Sequence, residues 1–224
     1  MKKRKVTVMG FSAAVFDLDG TLLDTLDDIT DAVNYTLRHF GKPEVTRDQV
    51  RRYTGYGAAF LIKSASKAEG AELEKMLPFY CGYYYDHVNV KTAPYPGTVE
   101  LITNLSACGV KCSVVSNKPD AAVKSLMSIH FPDVFDFIAG GRPDLKLKPE
   151  PDGILMAVNA SGRSMDEAVF IGDSESDIKA AGNAGIPVIS VLWGFRKEED
   201  LEDLSPDYFA ANVKELERII LGKA

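Results

Sequence analysis

The chain has 224 residues, 46% of them hydrophobic, which allows one large or two small globular domains. Its formal net charge of −6 argues against a general nucleic-acid binder or a membrane-surface protein, and no stretch is long and apolar enough to predict a transmembrane helix. Three cysteines without a CxxC pair, Cys81, Cys108 and Cys112, predict reduced thiols and hence a cytoplasmic protein.

The first predicted element is a buried strand, Ala13–Phe16, which follows a basic run, Lys2-Lys3-Arg4-Lys5. We interpret that run as a solvated tail, because no A-x-A cleavage site of a secretory signal precedes the aspartates that follow. The strand ends in Asp17-Leu18-Asp19-Gly20-Thr21.

Asp17 and Asp19 form the most informative pair in the sequence. Side chains two residues apart on an extended chain point to the same side, so these carboxylates repel each other unless a cation lies between them. Mg²⁺ prefers oxygen ligands and often shares its shell with substrate phosphate. The pair therefore predicts a magnesium site suited to phosphoryl transfer.

Residues 25–91 predict helices only. Apolar residues recur every three or four positions from Leu26 to Phe40, with Thr25 as a plausible N-cap. Further helices are predicted at 47–53, 58–67, 71–77 and 79–88. Pro78 either kinks the last pair or separates it.

From Pro94 onward, predicted helices and strands alternate. The helices are 98–107, 119–129, 151–159, 174–184 and 214–221, and the strands are 111–115, 137–139, 168–171 and 187–191. This alternation predicts an α/β fold with a doubly wound parallel sheet, which strand Ala13–Phe16 must join. We therefore predict a catalytic core of residues 1–24 and 92–224, with an inserted all-α cap domain, residues 25–91.

The carboxyl ends of these strands carry side chains that fit phosphate chemistry. Ligands bind at such ends in open α/β sheets. Asp17 is the candidate nucleophile, and Asp19 is placed to protonate the leaving alkoxide and then to activate water. Ser116 and Asn117 are predicted to donate hydrogen bonds to the phosphoryl oxygens, beside the start of the next helix.

Later segments add charge to the same rim. Lys148 supplies a cation for the charge on nucleophile and phosphate. Asp173 adds a third carboxylate for Mg²⁺. Asp177 lies four residues further on and is expected on the same side of a helix start.

These segments together resemble a known family. Asp17-Leu18-Asp19-Gly20-Thr21, Ser116-Asn117, Lys148-Pro149 and Gly172-Asp173 to Asp177 resemble the four motifs of the haloacid dehalogenase (HAD) superfamily in their usual order. The resemblance implies a Rossmannoid core with a helical C1-type cap. It also implies a nucleophilic Asp17, an acid/base Asp19, and Mg²⁺ held by Asp17, the backbone carbonyl of Asp19 and Asp173, with Asp177 in support.

Several activities within that superfamily stay open. Dehalogenases and phosphonate hydrolases lack the second aspartate, so Asp19 favours hydrolysis of a C–O–P bond, whereas sugar phosphomutases keep both aspartates. The segments Ser116-Asn117-Lys118-Pro119 and Thr54-Gly55-Tyr56-Gly57-Ala58 are most similar to the phosphoglycolate phosphatase branch.

The leading expectation is a Mg²⁺-dependent phosphatase that hydrolyses a small, phosphoglycolate-like monoester through an aspartyl-phosphate. The alternatives are a sugar phosphomutase or a phosphatase of a sugar phosphate, nucleotide or pyrophosphate. By fold-level analogy alone, a phospho-acceptor signalling module is a remote alternative. The expected partner is a small phosphate ester, with no nucleic acid or membrane, and either a monomer or a homodimer is compatible with the sequence.

Aromatic and glycine-rich segments are candidates for specificity. Gly55, Tyr56 and Gly57 are expected to reach the substrate from the cap, with Tyr56 lying over the site; an ordinary interhelical turn is the alternative. The run Tyr83-Tyr84-Tyr85 favours packing or an interdomain surface over a stacking platform. For Trp193-Gly194-Phe195, core packing is favoured over a position flanking the site.

Overall fold

A computed structural model describes residues 10–223, so the basic run Lys2-Lys3-Arg4-Lys5 lies outside the described residues. The strands are β1 Ala13–Phe16, β2 Leu23–Asp24, β3 Ala93–Pro94, β4 Lys111–Pro119, β5 Phe137–Gly141, β6 Ala168–Gly172, β7 Val188–Val191 and β8 Tyr208–Ala210. The helices are α1 Leu26–His39, α2 Arg47–Tyr53, α3 Ala58–Ser66, α4 Gly70–Asp86, α5 Thr98–Ala107, α6 Asp120–His130, α7 Asp152–Ser161, α8 Glu175–Ala184, α9 Glu198–Leu201 and α10 Val213–Ile220.

Six of the described strands form one parallel sheet in the order β5-β4-β1-β6-β7-β8. The chain adds β4 and β5 on one side of β1, then returns to add β6, β7 and β8 on the other. The order therefore reverses beside β1, which is where ligands bind in open α/β sheets. The predicted doubly wound parallel sheet is confirmed.

Both faces of the sheet are covered, which is why its central strands are apolar along their whole length. Ala14 and Phe16 of β1 belong to a hydrophobic cluster with helices α5, α6 and α10. Ala13 and Val15 belong to a second cluster with α7 and α8. Packing on both faces fixes the direction in which β1 presents the aspartates at its carboxyl end.

The helical insertion leaves and rejoins the sheet at one place. Strands β2 and β3 pair antiparallel, with Leu23 opposite Pro94, and residues 25–92, all described, contain helices α1 to α4 and no strand. The buried carboxylate of Asp28 accepts hydrogen bonds from the backbone N–H groups of residues 90–92. We call residues 25–91 the cap segment; its division from the core as a separate domain stays a prediction.

Tertiary packing decided what periodicity left open. Pro78 lies within a continuous α4, whose residues Met76, Tyr80 and Tyr84 are buried at a spacing of four, so packing outweighs the backbone hydrogen bond that proline removes. The sequence missed β2, β3 and the short edge strand β8. Among the described residues, no helix is both long and apolar enough to cross a membrane.

Candidate active site

A cavity of about 40 Å³ lies at the carboxyl ends of β1, β4 and β6, under the cap segment. Its sheet side is lined by Asp17, Asp19, Ser116, Asn117, Lys118, Pro119, Asp173, Ser174, Phe195 and Arg196. Its cap side is lined by Ile29, Thr54, Gly55, Gly57, Ala58, Leu61, Tyr80 and Tyr84. The residues that the sequence placed at three separate strand ends therefore lie around one space.

Lys148 joins two buried carboxylates at the end of β1. Its Nζ lies 2.8 Å from Oδ1 of Asp17 and 2.6 Å from Oδ1 of Asp177. Burial raises the pKa of Asp17 to about 7, with Lys148 opposing the shift and Asp177 adding to it. Burial would lower the pKa of Lys148, but the two carboxylates outweigh it and raise that pKa, so Lys148 stays cationic.

Asp173 is held by the loop that follows β7. Its Oδ2 accepts a hydrogen bond of 2.6 Å from the backbone N–H of Phe195. Burial, followed by the charges of Asp177 and Asp17, keeps the pKa of Asp173 well above its usual value. Gly20 makes this approach possible, because its φ is +84° and a Cβ there would overlap the Asp173 carboxylate.

The acidic cluster fits a hard divalent cation. Asp17, Asp173 and Asp177 each offer an oxygen within 4.8 Å of the others. Oδ1 of Asp17 accepts no hydrogen bond from the described residues, although Lys148 is close. Asp177 is fully engaged, since its Oδ1 accepts from Lys148 and its Oδ2 accepts from the N–H groups of residues 173 and 174. Oδ1 of Asp173 accepts only a long hydrogen bond, 3.5 Å from the Thr21 hydroxyl, so Asp17 and Asp173 each keep an oxygen for a cation while Asp177 holds Lys148.

Asp19 turns away from this cluster towards the cap. Its Oδ1 accepts a hydrogen bond of 2.7 Å from the hydroxyl of Thr25, and Nζ of Lys118 lies 2.8 and 3.0 Å from its two oxygens. Thr25 occupies the predicted N-cap position of α1, but its hydroxyl bonds to Asp19 and makes no capping hydrogen bond to the helix. Sequence reasoning assigned no role to Lys118; its position two residues after Ser116 was the available signal.

Ser116 and Asn117 differ in what they can still bind. Both amide hydrogens of Asn117 are used, at 2.9 Å to the carbonyl of Gly55 and 2.8 Å to that of Lys148, and its Oδ1 accepts from the Lys148 N–H. The Asn117 side chain thus ties three loops together and has no hydrogen left for phosphate, so the predicted donation by this residue is wrong for its side chain. The Ser116 hydroxyl accepts from the Lys118 N–H and keeps its own hydrogen for a ligand.

The glycine loop of the cap faces the cavity with its backbone. The carbonyl of Gly55 accepts from Asn117 and, at 3.0 Å, from the hydroxyl of Ser176. Gly55 and Gly57 line the cavity, but Tyr56 does not: its ring packs at 5.1 Å from that of Phe60. The expectation that Tyr56 covers the site is wrong, since this half-buried side chain packs against Phe60 and is absent from the cavity wall. On the cap side of the cavity, the aromatic residues are instead Tyr80 and Tyr84.

Arg196 binds the cap to the core. Its guanidinium donates to the backbone carbonyls of Arg51 at 2.7 Å, Arg52 at 3.3 Å and Thr54 at 3.0 Å, at the end of α2. Arg51 donates in return to the carbonyl of Phe195. For Trp193-Gly194-Phe195, the predicted core packing holds for Phe195, a member of a hydrophobic cluster, and for Trp193, which packs against it; Phe195 also lines the cavity. Sequence reasoning missed Arg196, for which no motif gave a signal.

Comparison with known proteins finds a matching family and relatives that cover most of the chain. Residues 14–191 match the family model described as Haloacid dehalogenase-like hydrolase. A phosphoglycolate phosphatase of Mesorhizobium japonicum is 31% identical over 217 residues, 92% of this chain and 95% of the relative. A phosphoglycolate phosphatase of Caulobacter vibrioides is 34% identical over 200 residues, 86% of this chain and 83% of the relative.

A solved structure extends the similarity to the cap segment. The crystal structure of a protein provisionally named phosphoglycolate phosphatase, from Lactobacillus delbrueckii subsp. bulgaricus, has a TM-score of 0.90 at 34% identity. The match covers 96% of this chain and 100% of that chain. Coverage this high includes the helices between β2 and β3 as well as the parallel sheet.

Proposed function

Because the chain belongs to the haloacid dehalogenase-like hydrolase family, we propose that it is a Mg²⁺-dependent phosphatase of small phosphate monoesters. The observation that carries the proposal is the buried Asp17 carboxylate, which faces the cavity and lies 2.8 Å from the ammonium of Lys148. A carboxylate so placed can attack phosphorus to give an aspartyl-phosphate.

In the first step, an oxygen of Asp17 forms a bond to phosphorus as the bond to the leaving oxygen breaks. Asp19 donates a proton to that leaving oxygen, which departs as an alcohol. In the second step, Asp19 takes a proton from a water that attacks the phosphorus, and the bond to Asp17 breaks. Inorganic phosphate is released and both aspartates return to their starting state.

The remaining polar groups hold charge in place during both steps. Lys148 keeps Asp17 oriented and offsets negative charge, while Asp177 fixes Lys148. The Ser116 hydroxyl supplies a hydrogen-bond donor for a phosphoryl oxygen. Asp17, Asp173 and the backbone carbonyl of Asp19 would hold Mg²⁺, which when bound supplies positive charge at the phosphoryl oxygens.

The substrate that this cavity supports is small. About 40 Å³ is open beside Asp17, and the cap loop is bonded to the core through Gly55 and Arg196. Docking of the cap loop in this way excludes bulk water and limits the size of the leaving group. The two curated relatives named above are phosphoglycolate phosphatases, so we propose a phosphoglycolate-like ester as substrate.

Phosphate release from a panel of small esters, with Mg²⁺ and with a chelator, tests this function. We expect steady release that needs Mg²⁺, and a phosphorylated Asp17 that accumulates in Asp19→Asn and is detected by mass spectrometry. A lasting phosphoprotein in the parent would indicate a signalling module. Conversion of a sugar phosphate to its isomer without net release would indicate a mutase.

A further inference from the structure

The hydroxyl of Tyr84 is an exception among the buried polar groups. Tyr84 is 2% exposed and lines the cavity, yet its hydroxyl oxygen is buried without a hydrogen-bond partner among the described residues. Leaving such a group unpaired costs about 1–3 kcal/mol. A buried hydroxyl that is unpaired beside a substrate cavity is a group available to a ligand.

Lys118 lies against the same ring. Its side chain is 3% exposed, and its Nζ is 4.7 Å from the centroid of the Tyr84 ring. An ammonium group has three N–H donors, and the pair with Asp19 uses two at most, so at least one donor is left for a ligand. Burial raises the pKa of Tyr84 well above its usual value, so the phenol also remains a donor.

The surroundings of these two donors are largely hydrocarbon. The cap side of the cavity next to them is lined by Ile29, Ala58, Leu61 and the ring of Tyr80, which stacks on Tyr84 at 5.7 Å. Asp19, the partner of Lys118, carries the proton that it donates in the first step, so a cation and a neutral donor beside an apolar wall then favour a ligand group that only accepts hydrogen bonds and carries negative charge. An ionised carboxylate is such a group, and on a short leaving group it fits the space available.

We propose that Lys118 and Tyr84 form a subsite for the carboxylate of the leaving group. The proposal rests on the proposed phosphatase function and names the residues that select its substrate. Asp17, Lys148 and Ser116 act on the phosphoryl group that all phosphate esters share. Lys118 and Tyr84 separate esters of hydroxy acids from neutral esters of the same size.

Two esters of nearly equal size provide the test. 2-Phosphoglycolate carries a carboxylate where 2-hydroxyethyl phosphate carries a neutral hydroxymethyl group. The measured quantity is the ratio of kcat/KM for the first ester to that for the second, with saturating Mg²⁺. We expect a ratio of at least about a hundredfold in the parent protein, because a site built for a polar group rejects analogues that lack it.

Tyr84→Phe removes only the hydroxyl and should lower this ratio about tenfold, the effect of one hydrogen bond to a charged group. Its thermal midpoint should stay equal or rise, since an unpaired buried hydroxyl is lost. Lys118→Met should lower the ratio further, and Lys118→Arg should restore most of it. Tyr85→Phe is the matched control, because Tyr85 is the next residue of α4, is 42% exposed and does not line the cavity.

The outcomes separate this inference from the function on which it rests. Phosphate release with a parent ratio near one, or a ratio unchanged in Tyr84→Phe, would overturn the subsite and leave the phosphatase intact. If neither ester is hydrolysed, the proposed function fails. The subsite is then tested by calorimetry, as the ratio of the binding affinities of the two esters. Lys118→Met gives a further outcome: if it lowers kcat/KM for both esters by the same factor, and Tyr84→Phe leaves both values unchanged, the subsite is overturned and Lys118 only positions Asp19.

Discussion

The two sides of the cavity are built from different chemistry. On the sheet side, buried charges are paired with one another: Asp17 and Asp177 with Lys148, and Asp19 with Lys118. On the cap side, the wall consists of glycine backbone, aliphatic carbon and two tyrosine rings, one with an unpaired hydroxyl. The sheet side suits the phosphoryl chemistry common to all phosphate esters, and the cap side, together with Lys118 at its edge, suits selection among their leaving groups.

The contacts between the two sides explain why residues of the cap can be substituted without disturbing the core. The cap contributes backbone carbonyls, of residues 51, 52, 54 and 55, to side chains of the core. A substitution of a cap side chain therefore leaves these hydrogen bonds in place. A buried charge of the core lacks this freedom, since loss of one partner leaves the other charge unpaired.

The largest loss of activity is expected from a substitution on the sheet side of the cavity. Asp17→Asn replaces the nucleophile with a carboxamide, a poor nucleophile and a poor Mg²⁺ ligand, so phosphate release should fall by more than about a thousandfold. Circular dichroism should show an unchanged fold. Asp203→Asn, at an exposed carboxylate, is the control. Retained turnover in folded Asp17→Asn would overturn the proposed mechanism.

Asp173→Asn tests the metal site without removing the partner of the Phe195 N–H. The amide keeps the shape and an acceptor oxygen but binds Mg²⁺ poorly. Changes even beyond the direct ligands weaken metal binding 10–100-fold in other proteins, so the Mg²⁺ concentration for half-maximal activity should rise at least about tenfold. An unchanged Mg²⁺ titration would remove Asp173 from the ligand set.

A smaller effect is expected where the two sides meet. Arg196→Gln removes the guanidinium that binds three carbonyls at the end of α2, so closure of the cap weakens. We expect kcat/KM to fall about tenfold, mainly through KM, in line with the loss of charge-assisted hydrogen bonds. Arg52→Gln is the control, since the Arg52 side chain is exposed and pairs with Asp48. Equal kinetics in the two variants would contradict a role of Arg196 in closure.

The smallest effect is a dependence of stability on pH in the protein without Mg²⁺. The pKa of Asp17 is about 7 in the folded protein and near 3.8 when unfolded. Between these values the folded state binds more protons, so stability falls as pH rises. The thermal midpoint should therefore drop by several degrees from about pH 5 to 7.5, at about 2–4 °C per kcal/mol.

Two measurements check whether Asp17 causes this fall of the thermal midpoint with rising pH. Saturating Mg²⁺ should remove most of the pH dependence of the thermal midpoint, because the cation binds the ionised carboxylates of the folded state alone. Asp17→Asn should flatten it in the absence of Mg²⁺. A thermal midpoint that rises with pH over this range would show that these carboxylates do not govern stability there.

The sequence predicted the parallel sheet, the helical insertion and most of the catalytic rim. These features depend on local information: strand and helix periods differ, and parallel strands bring their carboxyl ends to one edge. Asp17 and Asp173 follow from that rule, because each comes directly after a strand whose type the period reveals, whereas Lys148 lies in the loop between β5 and α7. The four-motif resemblance then identified the family that the comparisons support.

Only the tertiary structure decided which side chains were still free to act. Asn117 and Tyr56 have suitable chemistry in suitable places, but the carbonyls of Gly55 and Lys148 use the amide of Asn117, and Tyr56 packs against Phe60. Lys118 and Tyr84 are in contact although they lie about 34 positions apart in the sequence, and no pattern in either segment predicts this contact. Hydrogen-bond capacity and burial are properties of the packed whole, so they cannot be read from a spacing of residues.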